Sequence, residues 1–454
     1  MRHIRMLLAF MTLLVLPASA MQFSDDWIKG PLLPVVRDGK WGYIDRTGKI
    51  VVDFQYYKAT GFSEGLAGVA VGKWRREKWG FIDTTGKVVI EPQFSSADAF
   101  SEGLAPVEIG KKVGYIDKTG KIAIKPQFIH AYHFKNGLAV VELEVNGKSQ
   151  VVIINRQGNH IYEAGIEPYE TLNDGLVAII LTRNSSDELM AIRVGNKYGF
   201  IDKHGKTVIP PRFDNVESFQ EGVAAVAVNG KWGLINRVGK FVVKPVYHDL
   251  DYLSEGMASV TKGEEWGFRR ALVDKTGKLI TSPKFSNIWR FQNGIAGAST
   301  GSIYADNWGF INKKGKFVIK SNYNRIDEFS EGLAGVTLID NKGDSATGFI
   351  DKTGKMVIKP QFSDVKQFHE GLAAVCISNP SYITIDPETG EENIDFGKYG
   401  FIDKTGKMVI PAKFGNVSDF VNGIAIVWTS SQMLGGKFSY IDKAGNYIWK
   451  ADEQ

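Results

Sequence analysis

The chain has 454 residues, of which 43% are hydrophobic and 23% are charged, and this composition excludes an intrinsically disordered chain. Its formal net charge of +5 is small for its length, so charge alone does not indicate a polyanionic partner such as a nucleic acid. The single cysteine, Cys376, excludes an internal disulfide framework, so the fold must be stabilised by packing.

The N-terminus has the pattern of a secretory signal peptide. Arg2 and Arg5 form a basic start, residues 6–16 are a nearly unbroken apolar run, and small residues precede position 21. The apolar run is too short to span a membrane comfortably, and the small residues suit a signal peptidase. We therefore predict that residues 1–20 are removed and that the protein is periplasmic or extracellular. No later segment is apolar enough to span a bilayer.

After a lead-in at residues 21–34, one phrase recurs along the chain. It consists of an aromatic residue, Gly, an apolar or aromatic residue, Ile, and finally Asp or Asn. Such repetition indicates a repeat architecture, and it argues against catalysis because an active site is usually built once. The last residue of the phrase marks eleven copies, spaced 34 to 52 residues apart: Asp45, Asp83, Asp117, Asn155, Asp202, Asn236, Asp274, Asn312, Asp351, Asp403 and Asp442.

Each unit predicts a β-meander, as residues 219–245 illustrate. The apolar run 223–228 predicts a strand, and Asn229-Gly230 is a strong hairpin signal. Residues 231–235 and 240–244 predict two further strands, and Pro245 is expected to end the last one. The three-residue spacing of apolar positions in residues 213–219 fits either a short fourth strand or a single helical turn.

The Asp-x-x-Gly element that follows each phrase predicts a turn. In residues 45–48, Asp45 occupies the first position of a type I turn and Gly48 the fourth. The Asp side chain is expected to accept a hydrogen bond from backbone two residues further on. Three copies have Asn instead, namely Asn155, Asn236 and Asn312. Because an amide makes the same bond without the charge, turn capping is favoured over metal binding or general-base chemistry.

The aromatic-Gly pair also has a structural interpretation. Because neighbouring residues of a strand point to opposite faces, Trp79 and Phe81 should share one face, and Gly80 and Ile82 the other. We expect the glycine to leave room for an aromatic ring from an adjacent strand, so that aromatic residues form a ladder through the repeats.

A second recurring phrase, residues 62–67, predicts a turn in which Gly65 has a left-handed conformation. The residue before the glycine varies among the copies, which favours turn geometry over chemistry. That position holds Glu64, Glu102, Asn136, Asp174, Glu221, Asn293 and Asn422.

Together these phrases resemble the WG repeats, also called KWG repeats, of exported bacterial proteins. The resemblance covers roughly residues 35–449, and the phrases are nearly complete at residues 39–45, 117–121 and 330–334. It departs at residues 113–114, 347–348 and 438–439, and most strongly at Val151-Val152, where the signature pair is lost. The resemblance implies a β-rich repeat used for binding, without defined catalytic residues.

One unit is too small to bury a sufficient core, so the units must stack. We expect an all-β, continuous, curved array like a β-solenoid, built from meanders of three to four strands. A closed propeller, or two propeller-like rings, is the alternative; eleven copies exceed the usual four to eight blades. The predicted organisation is repeats 1–4 at residues 35–158, a degenerate longer segment at 159–197, and repeats 5–11 at 198–454.

Two further patterns are candidate binding sites, namely a pair of histidines and repeated pairs of lysines. His130 and His133 lie close enough to share a face of a helical turn, but no third metal ligand accompanies them. Repeated Lys pairs in the turns could form a basic stripe for an anionic polymer, or simply keep turns soluble. The pairs are Lys118 and Lys121, Lys203 and Lys206, Lys275 and Lys278, Lys352 and Lys355, and Lys404 and Lys407.

The longest insertion, residues 377–398, contains five acidic residues and could bind Ca²⁺, although a solvated acidic loop is the simpler interpretation. These residues are Asp386, Glu388, Glu391, Glu392 and Asp395.

We therefore expect an exported, non-catalytic scaffold that binds a protein partner or envelope component, chiefly through inter-repeat loops. The alternative is a binder of carbohydrate or cell-wall glycan that uses exposed aromatic residues. A glycan hydrolase is the third candidate, but no unique pair of carboxylates stands out. No catalytic residue, cofactor or metal site is predicted, and nucleic acid is not an expected partner.

Overall fold

The computed structural model describes residues 25–73, 76–145, 147–164, 189–194, 196–202, 205–251, 253–301, 307–340, 342–377, 382–385, 392–395, 397–428 and 438–451. These residues form small antiparallel sheets that follow one another along the chain, which confirms the all-β class. We call the sheets blades 1 to 11, and each contains one copy of the phrase. No helix in the described ranges is long and apolar enough to cross a membrane.

Eight blades have four strands, and each begins with a strand of only two residues. In chain order they are blade 2 (Lys58–Ala59, Leu66–Val71, Lys78–Asp83, Val88–Phe94), blade 3 (Ser96–Ala97, Leu104–Ile109, Lys112–Asp117, Ile122–Phe128), blade 4 (His130–Ala131, Leu138–Val145, Lys148–Asn155, His160–Ala164), blade 6 (Asn215–Val216, Val223–Val228, Lys231–Asn236, Phe241–Tyr247), blade 8 (Asn287–Ile288, Ile295–Ser299, Trp308–Asn312, Phe317–Tyr323), blade 9 (Arg325–Ile326, Leu333–Ile339, Ser345–Asp351, Met356–Phe362), blade 10 (Asp364–Val365, Leu372–Cys376, Tyr399–Asp403, Met408–Phe414) and blade 11 (Asn416–Val417, Ile424–Trp428, Phe438–Asp442, Tyr447–Trp449).

Three blades have three described strands. They are blade 1 (Leu33–Arg37, Lys40–Ile44, Ile50–Tyr56), blade 5 (Met190–Val194, Lys197–Ile201, Thr207–Phe213) and blade 7 (Asp249–Leu250, Met257–Thr261, Ala271–Asp274). Two 3₁₀ turns, Asp25–Ile28 and Gly263–Trp266, and a hairpin of Tyr382–Ile385 with Glu392–Asp395 complete the described elements.

The apolar core lies between blades. In blade 2, buried Phe81 packs with residues of blade 3, whereas its neighbour Ile82 packs with residues of blade 1. The predicted assignment of these two side chains to opposite faces is thus confirmed. A cluster of this kind joins every pair of consecutive blades, so each blade completes its neighbour's core.

The array closes into one ring. A closed propeller is the alternative that the sequence analysis gives to an open, curved array. An eleventh cluster packs Trp27 and Leu33 of the N-terminal part against Phe438 and Tyr440 of blade 11. The Tyr440 hydroxyl donates a 2.9 Å hydrogen bond to the Pro34 carbonyl. Blades 4 and 5 are also joined by a shared cluster, so the ring is not divided into two at that point.

The first strand explains how a unit of about 34 residues holds four strands. The strand Asn215–Val216 is only two residues long and follows the last strand of blade 5 after a single residue. The short-strand alternative for residues 213–219 is therefore the one adopted.

Pro245 was expected to end its strand but lies inside Phe241–Tyr247. It is tolerated because the strand is an edge strand and bulges at this point.

The glycine of the signature pair is required by backbone, not by an aromatic ring. A Cβ at Gly80 would lie 2.4 Å from the Ile90 carbonyl oxygen and 2.6 Å from the Pro92 nitrogen. Pairing jumps from Trp79 with Phe94 to Phe81 with Ile90, so three residues of the fourth strand bulge toward this glycine. The expectation that the glycine makes room for a ring was wrong: Trp79 instead lies over Gly68 of the second strand.

Copies that lack the glycine have an altered fourth strand. In blade 4, Val152 occupies the position, and the fourth strand pairs residue by residue over Val151 to Ile153. In blade 11, Ser439 does so, and the fourth strand has three residues. In blade 7, Ala271 does so, and the described residues form only isolated bridges, although Arg270 pairs with Phe285 in the register of the bulged blades. The bulge is therefore lost with the larger side chain of Val152, and its regular strand is lost with Ala271.

Aromatic residues of the two phrases meet in pairs across seven of the joints between blades, so the expected ladder is present but interrupted. Phe81 contacts Phe100 edge-on with ring centroids 4.8 Å apart, and Phe401 contacts Phe420 at the same distance. Edge-to-face contacts at this distance are favourable for aromatic rings. In each pair the first ring comes from the signature phrase and the second from the Phe of the next blade's turn phrase.

The Asp-x-x-Gly prediction is confirmed. The Asp45 carboxylate accepts hydrogen bonds from the Thr47 amide at 2.8 Å, the Thr47 hydroxyl at 2.6 Å and the Lys49 amide at 3.0 Å. Asn236 accepts the two equivalent amide bonds. The hydroxyl bond chiefly, with the amide bonds, lowers the pKa of Asp45. The carboxylates therefore act as turn caps.

The turn of the second phrase has a function that the sequence did not suggest. Glu331 and Gly332 both have positive φ, +50° and +93°, a conformation that suits Asn far better than Glu. The Glu331 carboxylate reaches blade 10, where it accepts a 3.0 Å bond from the Gly371 amide and contacts the Lys404 ammonium at 3.0 Å. The same inter-blade amide bond is made by Glu64, Glu102, Glu221, Glu255 and Glu370.

We predict that Gly80→Ala lowers the free energy of unfolding by about 1–3 kcal/mol, because its methyl group must displace backbone. Gly68→Ala is the matched control in the same blade. Its methyl group would meet the Thr60 hydroxyl oxygen at 3.3 Å, and the loss of glycine entropy in the unfolded chain offsets this contact. Urea unfolding of both variants measures the difference; equal effects would contradict the assignment.

Candidate binding site at the variable rim

One position recurs with constant backbone geometry and changing chemistry. It follows the two-residue first strand, and its amide donates to a carbonyl of the second strand at 2.8–3.1 Å in nine blades. The residues at this position are Thr60, Asp98, Tyr132, Glu217, Asp251, Trp289, Asp327, Lys366 and Ser418. We call these nine residues the variable rim. The Thr60 and Ser418 hydroxyls accept hydrogen bonds from second-strand amides, whereas the shared backbone bond does not require any particular side chain at the other positions.

The rim lies where the blades converge. A cavity of about 590 Å³ is lined by rim residues of three successive blades, Asp251, Trp289 and Asp327, and also by Gln367 of blade 10. Residues from four consecutive blades can share one cavity only on the inner side of the ring, where the distance between blades is shortest. The first strands therefore face the inside of the ring.

Blade 7 supplies the most altered copy of the signature to this cavity. Arg270-Ala271 stand four and three residues before Asp274, where other copies have the aromatic-Gly pair. This copy is a further departure from the repeat that the sequence analysis did not identify. The Arg270 guanidinium binds the Asp251 carboxylate at 2.6 Å, the Ser259 hydroxyl at 3.0 Å and the Asp249 carboxylate. A buried aromatic contact is replaced by a fixed polar group.

The two rim carboxylates of the cavity are poorly solvated. Burial raises the pKa of Asp251, and the charge of Asp249 adds to this, although Arg270 opposes it. Burial likewise raises the pKa of Asp327, with a contribution from Asp364 and opposition from Arg325. Both carboxylates line the cavity, where their oxygens can accept hydrogen bonds from a ligand.

A rim carboxylate outside this cavity, Asp98, interacts with a histidine of the next blade. The His133 Nε2 atom of blade 4 lies 3.1 Å from the Asp98 Oδ2 atom of blade 3. The hydrogen bond to Asp98 raises the pKa of His133. Burial raises the pKa of Asp98, but the hydrogen bond and charge of His133 outweigh it, so this pKa lies below its ordinary value.

The two neighbouring histidines do not form a metal site. His130 lies in the strand His130–Ala131 and its Nε2 atom is 3.9 Å from Glu142, whereas His133 faces Asp98. Nowhere in the described ranges do three His, Cys, Asp or Glu residues gather in a geometry that could hold a metal ion.

The Lys pairs are only partly available for an anion. Lys118 contacts Glu64 at 3.1 Å and Lys404 contacts Glu331 at 3.0 Å, so the first lysine of these pairs stabilises a joint between blades. The second lysines, such as Lys121 and Lys407, are exposed. Lys203 lies outside the described residues.

The acidic insertion forms a hairpin in its described part. Tyr382–Ile385 pairs with Glu392–Asp395, which places two of the five acidic residues, Glu392 and Asp395, on one strand. Asp386, Glu388 and Glu391 lie outside the described residues, as do the predicted signal peptide at residues 1–20 and Asp174. The Ca²⁺ interpretation stays a prediction.

The rim was not predicted from the sequence, because its residues neither recur nor lie in a long insertion. The rim position can nevertheless be located in the sequence. It lies two residues before the Phe of the second phrase, and in blade 7 two residues before Leu253. The residue at this position changes from Thr to Asp, Tyr, Trp and Lys among the repeats, whereas its neighbours recur. Such variation marks a position where the shared backbone bond does not fix the side chain.

We predict that His133→Gln destabilises the protein at low pH and not at high pH. Because the folded pKa of His133 is raised, its stabilisation is complete below about pH 6.5, the ordinary value, and disappears as the pH rises through the folded value. The difference in Tm from the unaltered protein should be largest near pH 6 and absent by about pH 9. Asp98→Asn should remove the same pH dependence and add nothing to the double variant; a pH-independent difference would exclude the pair.

Comparison with known proteins gives one family and distant structures. A repeat described as "WG containing repeat" matches residues 41–73, 79–112, 114–148, 198–232, 232–266, 272–302, 308–342, 348–379 and 399–427, which is more than half of the chain. No curated protein matches.

Among solved structures, the chain is similar to the tricorn protease, with 10% identity over 90% of this chain and 48% of the other, at a TM-score of 0.26. It is also similar to the uncharacterized protein lmo1340 from Listeria monocytogenes EGD-e, with 11% identity over 70% of this chain and 92% of the other, at 0.27. The chain thus spans about half the length of the tricorn protease chain. At these TM-scores neither structure informs the function.

Proposed function

Because the chain belongs to the WG repeat family, we propose that it is a non-catalytic scaffold that binds a protein partner through its variable rim. The observation that carries this proposal is the contrast at the rim. Nine amides make the same backbone bond within 2.8–3.1 Å, while the nine side chains include acids, a base, hydroxyls and two aromatic residues. Recognition commonly resides in variable side chains held by a rigid framework.

The framework holds these side chains rigidly. Each rim residue follows a strand that pairs with the next strand of its blade, and both faces of each blade pack against neighbours. Rigid presentation reduces the entropy lost on binding. The residues therefore form a periodic surface on the inner side of the ring, suited to a partner that contacts several blades at once.

Two rim carboxylates contact basic groups in the described part of the structure. These contacts support binding over catalysis. Asp251 is held by Arg270 and Asp98 by His133, so the charge of each of these two carboxylates is paired with a basic group. Glycan hydrolysis needs two carboxyl groups about 5–10 Å apart with different protonation. The repeated position instead carries seven residue types in nine blades.

Export is part of the proposal. The basic start, short apolar run and small residues of positions 1–20 support removal of this segment, and the mature chain would begin at Met21. The intact mass of the protein recovered from its host tests this directly, because retention of residues 1–20 would contradict export by this route.

We predict that substitutions on the rim abolish capture of a saturable protein partner. The test variant combines Asp98→Ala, Tyr132→Ala and Glu217→Ala, which lie on blades 3, 4 and 6. The control combines Lys87→Ala, Lys121→Ala and Lys355→Ala, which are exposed turn residues. Immobilised residues 21–454 of each form are incubated with extract of the host envelope, and retained proteins are quantified by mass spectrometry.

The expected result is a partner that saturates the unaltered and control proteins and is lost from the rim variant. Thermal unfolding of all three proteins excludes loss of folding as the cause. Equal retention by the rim and control variants, or no saturable partner at all, would contradict the proposal.

A further inference from the structure

The cavity of blades 7 to 10 differs from the rest of the rim in shape and chemistry. Its volume of about 590 Å³ lies within the range of small-molecule sites, roughly 300–1,000 Å³. It combines an indole, guanidinium groups, carboxylates and amides: Trp289, Arg270, Asp251, Asp327, Asn287 and Gln367. These groups can donate and accept hydrogen bonds in several directions beside one aromatic surface.

Its polar groups are held in place before any ligand binds. Arg270 is fixed by Asp249, Asp251 and Ser259, and it is 18% exposed. Ser259 is itself buried. A ligand therefore meets a guanidinium and a carboxylate whose orientation is already determined, which reduces the cost of ordering them.

The indole is also fixed. Trp289 packs against Trp308 with ring centroids 4.9 Å apart, and it lies over Gly297, where a Cβ would be 2.6 Å from the Trp289 ring. Blade 8 thus has a glycine on its second strand where blade 7 has Ser259 and blade 10 has Ala374. The absence of a side chain at Gly297 gives this ring its position beside the cavity.

The electrostatics of the cavity disfavour an anionic ligand. Asp251, Asp327 and Glu328 line the cavity with only Arg270 and Arg290 as cations, and Arg270 is already bound by two carboxylates. An anion would therefore be repelled. The side chains of Asp251 and Asp327 line the cavity and are 42% and 21% exposed, so their carboxylate oxygens can accept hydrogen bonds from hydroxyl donors.

We propose that this cavity binds an uncharged saccharide, whose hydroxyl groups donate to Asp251 and Asp327 and whose apolar face packs on Trp289. Sugar rings present hydroxyls at their edges and C–H groups on their faces, and aromatic side chains offer a complementary apolar surface. The inference rests on the proposed function in one respect, namely that the inner rim is the recognition surface. It adds a ligand class for one sector of the rim.

The test is isothermal titration of the full mature chain with neutral trisaccharides of glucose, galactose, mannose and N-acetylglucosamine. Binding of at least one of these probes is expected, with one site per chain. Asp327→Asn should weaken it about tenfold or more, because one charge-assisted hydrogen bond is lost. Asp53→Asn is the control: it makes the same change at an exposed carboxylate of blade 1, outside the rim and the cavity, and should leave affinity unchanged.

Trp289→Leu should abolish binding, and its folding is checked by Tm and circular dichroism. If that variant does not fold, Asp327→Asn and Gln367→Ala decide the question. Absence of binding for all four probes, equal losses for Asp327→Asn and Asp53→Asn, or binding of an oligolysine peptide in place of the sugars would each overturn the inference. Partner capture through blades 3, 4 and 6 is measured separately, so failure of one proposal is distinguishable from failure of the other.

Discussion

Each blade of this protein is apolar on both faces, and this constraint determines the rest of the structure. Phe81 and Ile82 are neighbours in one strand, yet they are buried in different clusters, one with blade 3 and one with blade 1. A sheet with two apolar faces needs a neighbour on each side. An open array leaves two such faces exposed at its ends, whereas a ring leaves none. The contact of Trp27 and Leu33 with Phe438 and Tyr440 removes the last exposed pair of faces.

The recurring residues maintain this packing and leave the inner rim free to vary. Gly80 admits the bulged fourth strand, Asp45 caps the tight turn, and Glu331 links one blade to the next. Glu is a poor residue for a left-handed turn, and the strain of about 1–3 kcal/mol is offset by the bonds that its longer side chain makes across the joint. None of these requirements restricts the residue after the first strand, so its side chain can change without loss of these contacts.

Local features could be predicted from the sequence because they depend on nearby residues. The strand Val223–Val228 and the capping bonds of Asp45 follow from short-range pattern and turn chemistry. Closure could not be predicted, because it depends on a contact between Pro34 and Tyr440 that are 406 residues apart. The reach of Glu331 to blade 10 was missed for the same reason. The backbone approach to Gly80 was missed because it depends on a bulge of the next strand that the alternation of residues does not indicate. The cavity depends on four blades meeting, so its residues have no common sequence signal.

Closure itself is tested most directly by a distance between the two ends of the ring. Spin labels at Lys49→Cys in blade 1 and Ala444→Cys in blade 11 are placed in a Cys376→Ala background and measured by double electron–electron resonance. The reference pair, Asn446→Cys with Thr405→Cys, occupies the equivalent turn positions of the consecutive blades 11 and 10. A closed ring predicts the same short, narrow distance distribution for both pairs. A long distance for the first pair beside a short one for the reference would show an open array and contradict the account.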